Sequence, residues 1–304
     1  MARVMPTPAG TDPAGTGPAG TAPAGGRAGK RALHVLDRGS RQLVLLIATA
    51  IALVPVYVMI TGAFKTQAEF LASPWSLPAS WSFRNFHVAV SNGFGRWLLN
   101  SLIVTSISVA ATMALAASAA WGYSRWRFAG KQAVLSLCIA LMVIPPVVLL
   151  VPLFHLGAYL HQISTFQVVI VIYTGLMLPF SIYLLASFFS QIPESLVEAA
   201  IVDGASSWTV FRRVVLPLSG PPLITLGVVN LLWAWNELLI ALVFLQSDTK
   251  KTLMVGISEF QSKFNLNIPV TMAGLSIAVL PLVAAYIFGQ RYFIRGLTAG
   301  ALRE

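Results

Sequence analysis

Charge is what this sequence lacks most. Asp, Glu, Lys and Arg make up 10% of its 304 residues, where a soluble domain carries about 25%. Hydrophobic residues make up 57%, and the mean hydropathy is +0.77. So few charges cannot cover a folded surface in water, which excludes a soluble globular enzyme and an ordinary secreted domain. Cysteine is almost missing as well. Cys138 stands alone in an apolar stretch, so it forms no internal disulfide or zinc site and reads as a small packing residue. Catalytic patterns are missing too. There is no Gly-x-x-x-x-Gly-Lys-Ser/Thr phosphate loop and no Gly-x-Ser-x-Gly nucleophile turn. His155 and His161 have no second ligand at metal spacing. No catalytic residue and no metal site is expected.

What remains is apolar runs punctuated by cations. The net charge is +10. The cations sit at the edges of the apolar runs, not interleaved with aromatics on polar segments, so they fit membrane loops and not nucleic acid. A bilayer-spanning helix needs about 20 apolar residues. Six such spans are expected: Gln42–Phe64, Leu98–Trp121, Gln132–Phe154, Thr165–Phe189, Pro222–Leu245 and Thr271–Phe288. Pro145-Pro146 predicts a kink in the third. Before them, Pro8-Ala9-Gly10-Thr11 recurs at Pro13 and Pro18 and degenerates at Pro23. That composition cannot bury enough surface to offset chain entropy. The expected organisation is a disordered tail over residues 1–40 and a membrane domain over 41–304. With the termini inside, 14 cations face the cytoplasm (Arg3, Arg27, Lys30, Arg31, Arg38, Arg41, Arg125, Arg127, Lys131, Arg212, Arg213, Arg291, Arg295, Arg303) and 6 face out (Lys65, Arg84, Arg96, Lys250, Lys251, Lys263). That asymmetry places both termini in the cytoplasm.

Between spans four and five lies a polar stretch, residues 190–217. Pro193 suits a first helical turn, with Glu194 beside the positive end of the dipole. Gly204 suits the stop. Ser206 or Ser207 caps a second short helix reaching Val214, which Pro217 ends. Leu196, Ala200 and Ile201 are expected to face inward, and Glu194, Glu198 and Asp203 to stay polar. Glu237 is the only acid within a span. A carboxylate in hydrocarbon is costly, so it lines a pathway or gate, or is a structural group bonded to Asn236 or Asn230. Trp233, Trp235, Phe244 and Tyr286 either stack on sugar rings or pack. Residues 65–97, with Trp75, Pro78, Trp81 and Asn85, read as an outer docking loop or as a merely rigid one.

Glu198-Ala199-Ala200, then Gly204, Val214 and Leu216-Pro217, have the spacing of the EAA loop of ABC importer permeases, with Val214 replacing the usual isoleucine. Trp235-Asn236-Glu237, the opening Asn100-Ser101 and the stretch Gln290–Ala301 resemble the carbohydrate branch, the maltose-transporter type of six-span permease. The tail departs from that branch at Leu302-Arg303-Glu304. The resemblance covers residues 41–301. It implies an all-α integral membrane fold, six transmembrane helices with a cytoplasmic coupling helix between spans four and five. It implies that Glu198, Ala199, Ala200, Asp203, Gly204, Leu216 and Pro217 couple to an ATPase. Trp235, Asn236 and Glu237 are the candidate pathway or gate. It also implies a bacterial inner-membrane location, a second permease subunit, two ATPase subunits that bind ATP and Mg, and an extracellular solute-binding lipoprotein. The chain itself would bind no cofactor and catalyse nothing. Two other readings stay open: a permease of this type for a peptide, phosphate or polyamine, and an ion-coupled transporter with Glu237 as the proton site.

Overall fold

The cation-flanked apolar runs form helices, and no strand occurs among the described residues. The computed structural model describes residues 25–260 and 267–301, with side chains over 41–91, 93–260 and 267–288. The chain divides into two units, residues 1–55 and 56–304. Helix α1 (Gly25–Ala63) carries Pro55 inside it, where the first unit ends. Its backbone is helical from Gly25, upstream of the expected boundary at residue 40. Proline is absent from Arg27 to Arg41, so nothing stops the helix there. The repeats before residue 25 lie outside the described residues.

The second unit begins with a built loop. Lys65 is only 1% exposed, and its Nζ donates to the carbonyls of Ser73 (2.9 Å) and Pro74 (3.0 Å). Asn85 Nδ2 donates to the carbonyls of Ala63 and Lys65, both at 2.8 Å. These bonds tie the segment after α2 (Gln67–Ala72) and the start of α3 (Arg84–Ala89) to the end of α1, and the π-turn Val90–Phe94 follows α3. Of the residues that mark this loop, Asn85 is tied down by these bonds, while Trp75 and Trp81 stay exposed.

Next come α4 (Gly95–Arg125), α5 (Lys131–Val143), α6 (Pro146–Tyr159) and α7 (Phe166–Ser190). Helices α4 and α7 run parallel and form the most extensive helix packing among the described residues. The third expected span is not one kinked helix. Pro146 lacks an N–H, and Ile144 before Pro145 is pushed into extended backbone. Helices α5 and α6 consequently meet at 97°.

The polar stretch forms α8 (Glu194–Val202), α9 (Ser207–Val210), a π-turn (Phe211–Val215) and α10 (Leu216–Leu218). Ser206 caps α9 through the Thr209 N–H (3.3 Å), as expected. The stop does not fall at Pro217, because proline is tolerated in a first turn. The chain bends 78° at Ser219, before α11 (Gly220–Asn236). The fifth span is also broken: α11 ends at Asn236 and α12 (Leu239–Phe244) begins after it. Helices α13 (Leu253–Ser258) and α14 (Ile268–Ala301) complete the described chain. Among the described residues, four helices are long and apolar enough to cross a bilayer, or up to six if each bent pair is one span.

Candidate functional site

Two places in the second unit gather the candidate residues. The first is the polar loop around α8. Val197 is its anchor, buried in a cluster with Ala117, Ala120 and Trp121 of α4 and Leu185 and Phe189 of α7. Phe211 follows the loop into the same cluster, its ring 5.9 Å from that of Trp121 with the planes 27° apart. Of the residues expected to face inward, Ala200 is half-buried, but Leu196 and Ile201 are exposed. In a helix of nine residues the buried stripe follows Val197, Ala200 and the loop beyond, and this register turns Leu196 and Ile201 outward.

Helix α8 closes with a six-to-one and five-to-two bonding pattern. The Ala205 N–H donates to the Ala200 carbonyl (3.0 Å), and the Gly204 N–H to the Ile201 carbonyl (2.9 Å). The pattern needs a left-handed residue, and Gly204 supplies it with φ +84°. A Cβ there would touch nothing in this chain. The outer surface thus presents Glu198, Ala199, Asp203 and Gly204 side by side with exposed apolar groups, Val202 at 85% and Trp208 at 63% exposure. Leu216 is half-buried and Pro217 exposed at the turn into α11.

The second place is the break in the fifth span. Glu237 lies between α11 and α12 in extended backbone, φ −67° and ψ 123°. Its Oε1 accepts from the Ile240 N–H (2.9 Å). Its Oε2 accepts from the Ala241 N–H (3.1 Å) and the Tyr173 hydroxyl (2.7 Å). The carboxylate therefore caps the positive end of α12. The expected partners Asn236 and Asn230 bond elsewhere: Asn236 Nδ2 to the Leu232 carbonyl (2.8 Å) and Asn230 Nδ2 to Ser181 Oγ (3.0 Å). Position 236 is exposed, whereas Trp235 is buried against Trp97 and Phe260. Trp233 packs edge-on to Tyr173 (5.4 Å, 78°). Phe244 is fully buried, and Tyr286 is exposed.

Residues to which the sequence assigned no site role hold this end together. Asn100 Nδ2 on α4 donates to the carbonyls of Thr249 (3.0 Å) and Lys251 (2.8 Å), and the Leu253 N–H donates to Ser101 Oγ (2.8 Å). Lys251 is buried and pairs with Asp248 and Glu259. Burial works to lower its pKa, and the two carboxylates outweigh it and raise the value. Only the adjacent Asn-Ser pair was legible beforehand. The stretch Gln290–Ala301 keeps a helical backbone, but its side chains lie outside the described residues, as do residues 302–304.

The family model described as binding-protein-dependent transport system inner membrane component matches residues 112–299. A Caldicellulosiruptor sp. chain, ORF2, carrying the name of an ABC transporter permease protein, is 40% identical over 260 residues, 85% of this chain and 94% of its own. The melibiose/raffinose/stachyose import permease protein MelC of Bacillus subtilis is 31% identical over 269 residues, 87% of this chain and 97% of its own. Among solved structures, a chain of a bacterial ABC transporter involved in the import of the acidic polysaccharide alginate shares the fold. Its TM-score is 0.72 at 19% identity, covering 87% of this chain and 98% of that one.

Proposed function

Because the chain belongs to the family of binding-protein-dependent transport system inner membrane components, we propose that it is the permease subunit of an ATP-driven importer carrying a sugar or oligosaccharide into the cytoplasm. The observation that carries the proposal is the α8 surface. A rigid, acid-bearing helix, anchored through Val197 to α4 and α7, exposes Glu198, Asp203, Gly204 and a rim of bare apolar groups. Such a face suits docking into a cleft on another protein. That protein is an ATPase subunit, one of two, which brings the ATP and Mg. Closure of the ATPase pair would push α8, and the bundle would switch its access. Leu216 and Pro217 lead that push into α11.

The name of MelC supports a sugar cargo. A second permease chain would complete the pathway, and an extracellular solute-binding lipoprotein would deliver the cargo. Asn236 is the pathway-facing member of its trio, with Trp235 and Glu237 shaping the wall behind it. The fourteen-to-six cation asymmetry supports cytoplasmic termini and a cytoplasmic 190–217 loop. Cargo of another type, a peptide, phosphate or polyamine, fits the same mechanism. An ion-coupled mechanism through Glu237 is disfavoured, because three donors already occupy its carboxylate.

Reconstitution tests the reading. Proteoliposomes holding this chain, its partner permease and the ATPase should take up labelled oligosaccharide only with ATP inside and loaded binding protein outside. Uptake driven by an ion gradient without ATP would refute it.

A further inference from the structure

We propose that α4 is the rod that carries movement of the 190–217 loop to the 249–253 segment at the opposite end of the bundle. The inference deepens the coupling reading of that loop and rests on it. The loop is joined covalently to α7 and α11 only. Two residues one turn apart on α4 nevertheless clasp both of its ends.

At the entry, Arg125 Nη2 donates to the Ile192 carbonyl at 3.1 Å and reaches the Phe189 carbonyl at 3.5 Å. These carbonyls flank the junction between α7 and α8, where a cation also suits the helix end. The same guanidinium lies 5.5 Å from the Trp121 ring centroid. At the exit, Trp121 stacks on Phe211, which opens the π-turn leading to α11. Loop and helix end are thus one packed body, and packed bodies shift as units.

The far end of α4 is tied with equal definition. Asn100 and Ser101 take three backbone groups of residues 249–253. The helix between has 31 residues, about 46 Å at 1.5 Å per residue. Under the proposed topology one end lies in the cytoplasm and the other faces the binding protein. A stiff element clamped at both ends can transmit a displacement in either direction, and α7 offers a rival route. Cutting the α4 clasp while leaving α7 continuous separates the two.

The test uses the full transporter with Cys138→Ser and a reporter Gln246→Cys, a position that is exposed beside the far clamp. Labelling of the reporter is followed with and without a trapped ATP state. Arg125→Met should reduce the ATP-dependent change in labelling rate roughly tenfold, within the range by which residues along coupled networks act. ATPase association and basal hydrolysis should persist. Arg125→Lys, which keeps a charged donor, should recover part of the change. Asn100→Leu, far from the loop, should produce the same loss. Full response in Arg125→Met and Asn100→Leu would overturn the rod, and so would loss of assembly in both together with Arg125→Lys. Gly204→Asp serves as the control. If it too responds normally, the coupling reading itself has failed. If it alone is unresponsive, only the rod has failed.

Discussion

Glu237→Leu tests what the only acid within a span does. The carboxylate satisfies two backbone N–H groups of α12 and the hydroxyl of Tyr173. Leucine leaves all three unpaired. A buried donor without a partner costs about 1–3 kcal/mol, so three of them, on residues at most 2% exposed, should destabilise by about 3–9 kcal/mol. Glu237→Gln keeps one acceptor oxygen and turns an amide NH2 toward at least one donor. It also removes a negative charge from a helix N-terminus, worth about 0.3–1 kcal/mol. Its loss should be about 2–4 kcal/mol. Tyr173→Phe leaves both backbone caps in place and should cost about 1 kcal/mol. Unfolding temperature in detergent and membrane abundance would be measured for each variant, with uptake normalised to abundance. The expected order of loss is leucine, then glutamine, then the tyrosine variant. The glutamine and tyrosine effects should not add, because they share one oxygen. Unchanged stability and abundance in Glu237→Leu, with uptake alone abolished, would refute the capping argument and return Glu237 to the cargo pathway.

Gly204→Asp and Glu198→Lys should abolish uptake while the helices still insert. The ATPase should then associate weakly or ignore the loaded binding protein, and suppressors should map to the ATPase chain. In Gly204→Ala the left-handed backbone alone should cost about 1–2 kcal/mol, since the Cβ meets nothing in this chain. A milder defect than in Gly204→Asp would therefore separate strain from contact with a partner. Gly256→Ala should lower the unfolding temperature, because its Cβ would stand 2.1 Å from the Trp97 indole, and such overpacking costs about 1–3 kcal/mol. The raised pKa of Lys251 predicts a stability contribution intact at neutral pH, undiminished below the free value of 10.5 and lost as pH rises through the higher folded value. Lys251→Met should erase that alkaline slope in a thermal melt. Single cysteines at Ser195 and Gln246, with Cys138 replaced, should label from opposite sides of intact cells, only Gln246 reacting with an impermeant reagent.

Composition and spacing alone determined the class of this protein. Ten per cent charge, apolar runs of about 20 residues and edge cations point to helices in a bilayer, because runs of that length without polar alternation fit spanning helices and not the short alternating strands of a barrel. The loop between spans four and five was equally legible. A helix start, a left-handed stop and a capping serine are local events, and Pro193, Gly204 and Ser206 encode them within a few residues. What lay beyond the sequence was set by distant partners. Pro145-Pro146 announces an interruption in the run from Gln132 to Phe154 but not its angle, 97° in the structure. Nothing around Glu237 announces that Tyr173, 64 positions earlier, supplies its third bond. The choice of Val197 over Leu196 as the buried residue of α8 depends on the rotation of a nine-residue helix, and the ends of α4 and α7 fix that rotation. Local chemistry wrote the elements. The rotation of α8 and the clasps at both ends of α4 required tertiary structure, because each joins residues far apart in the chain.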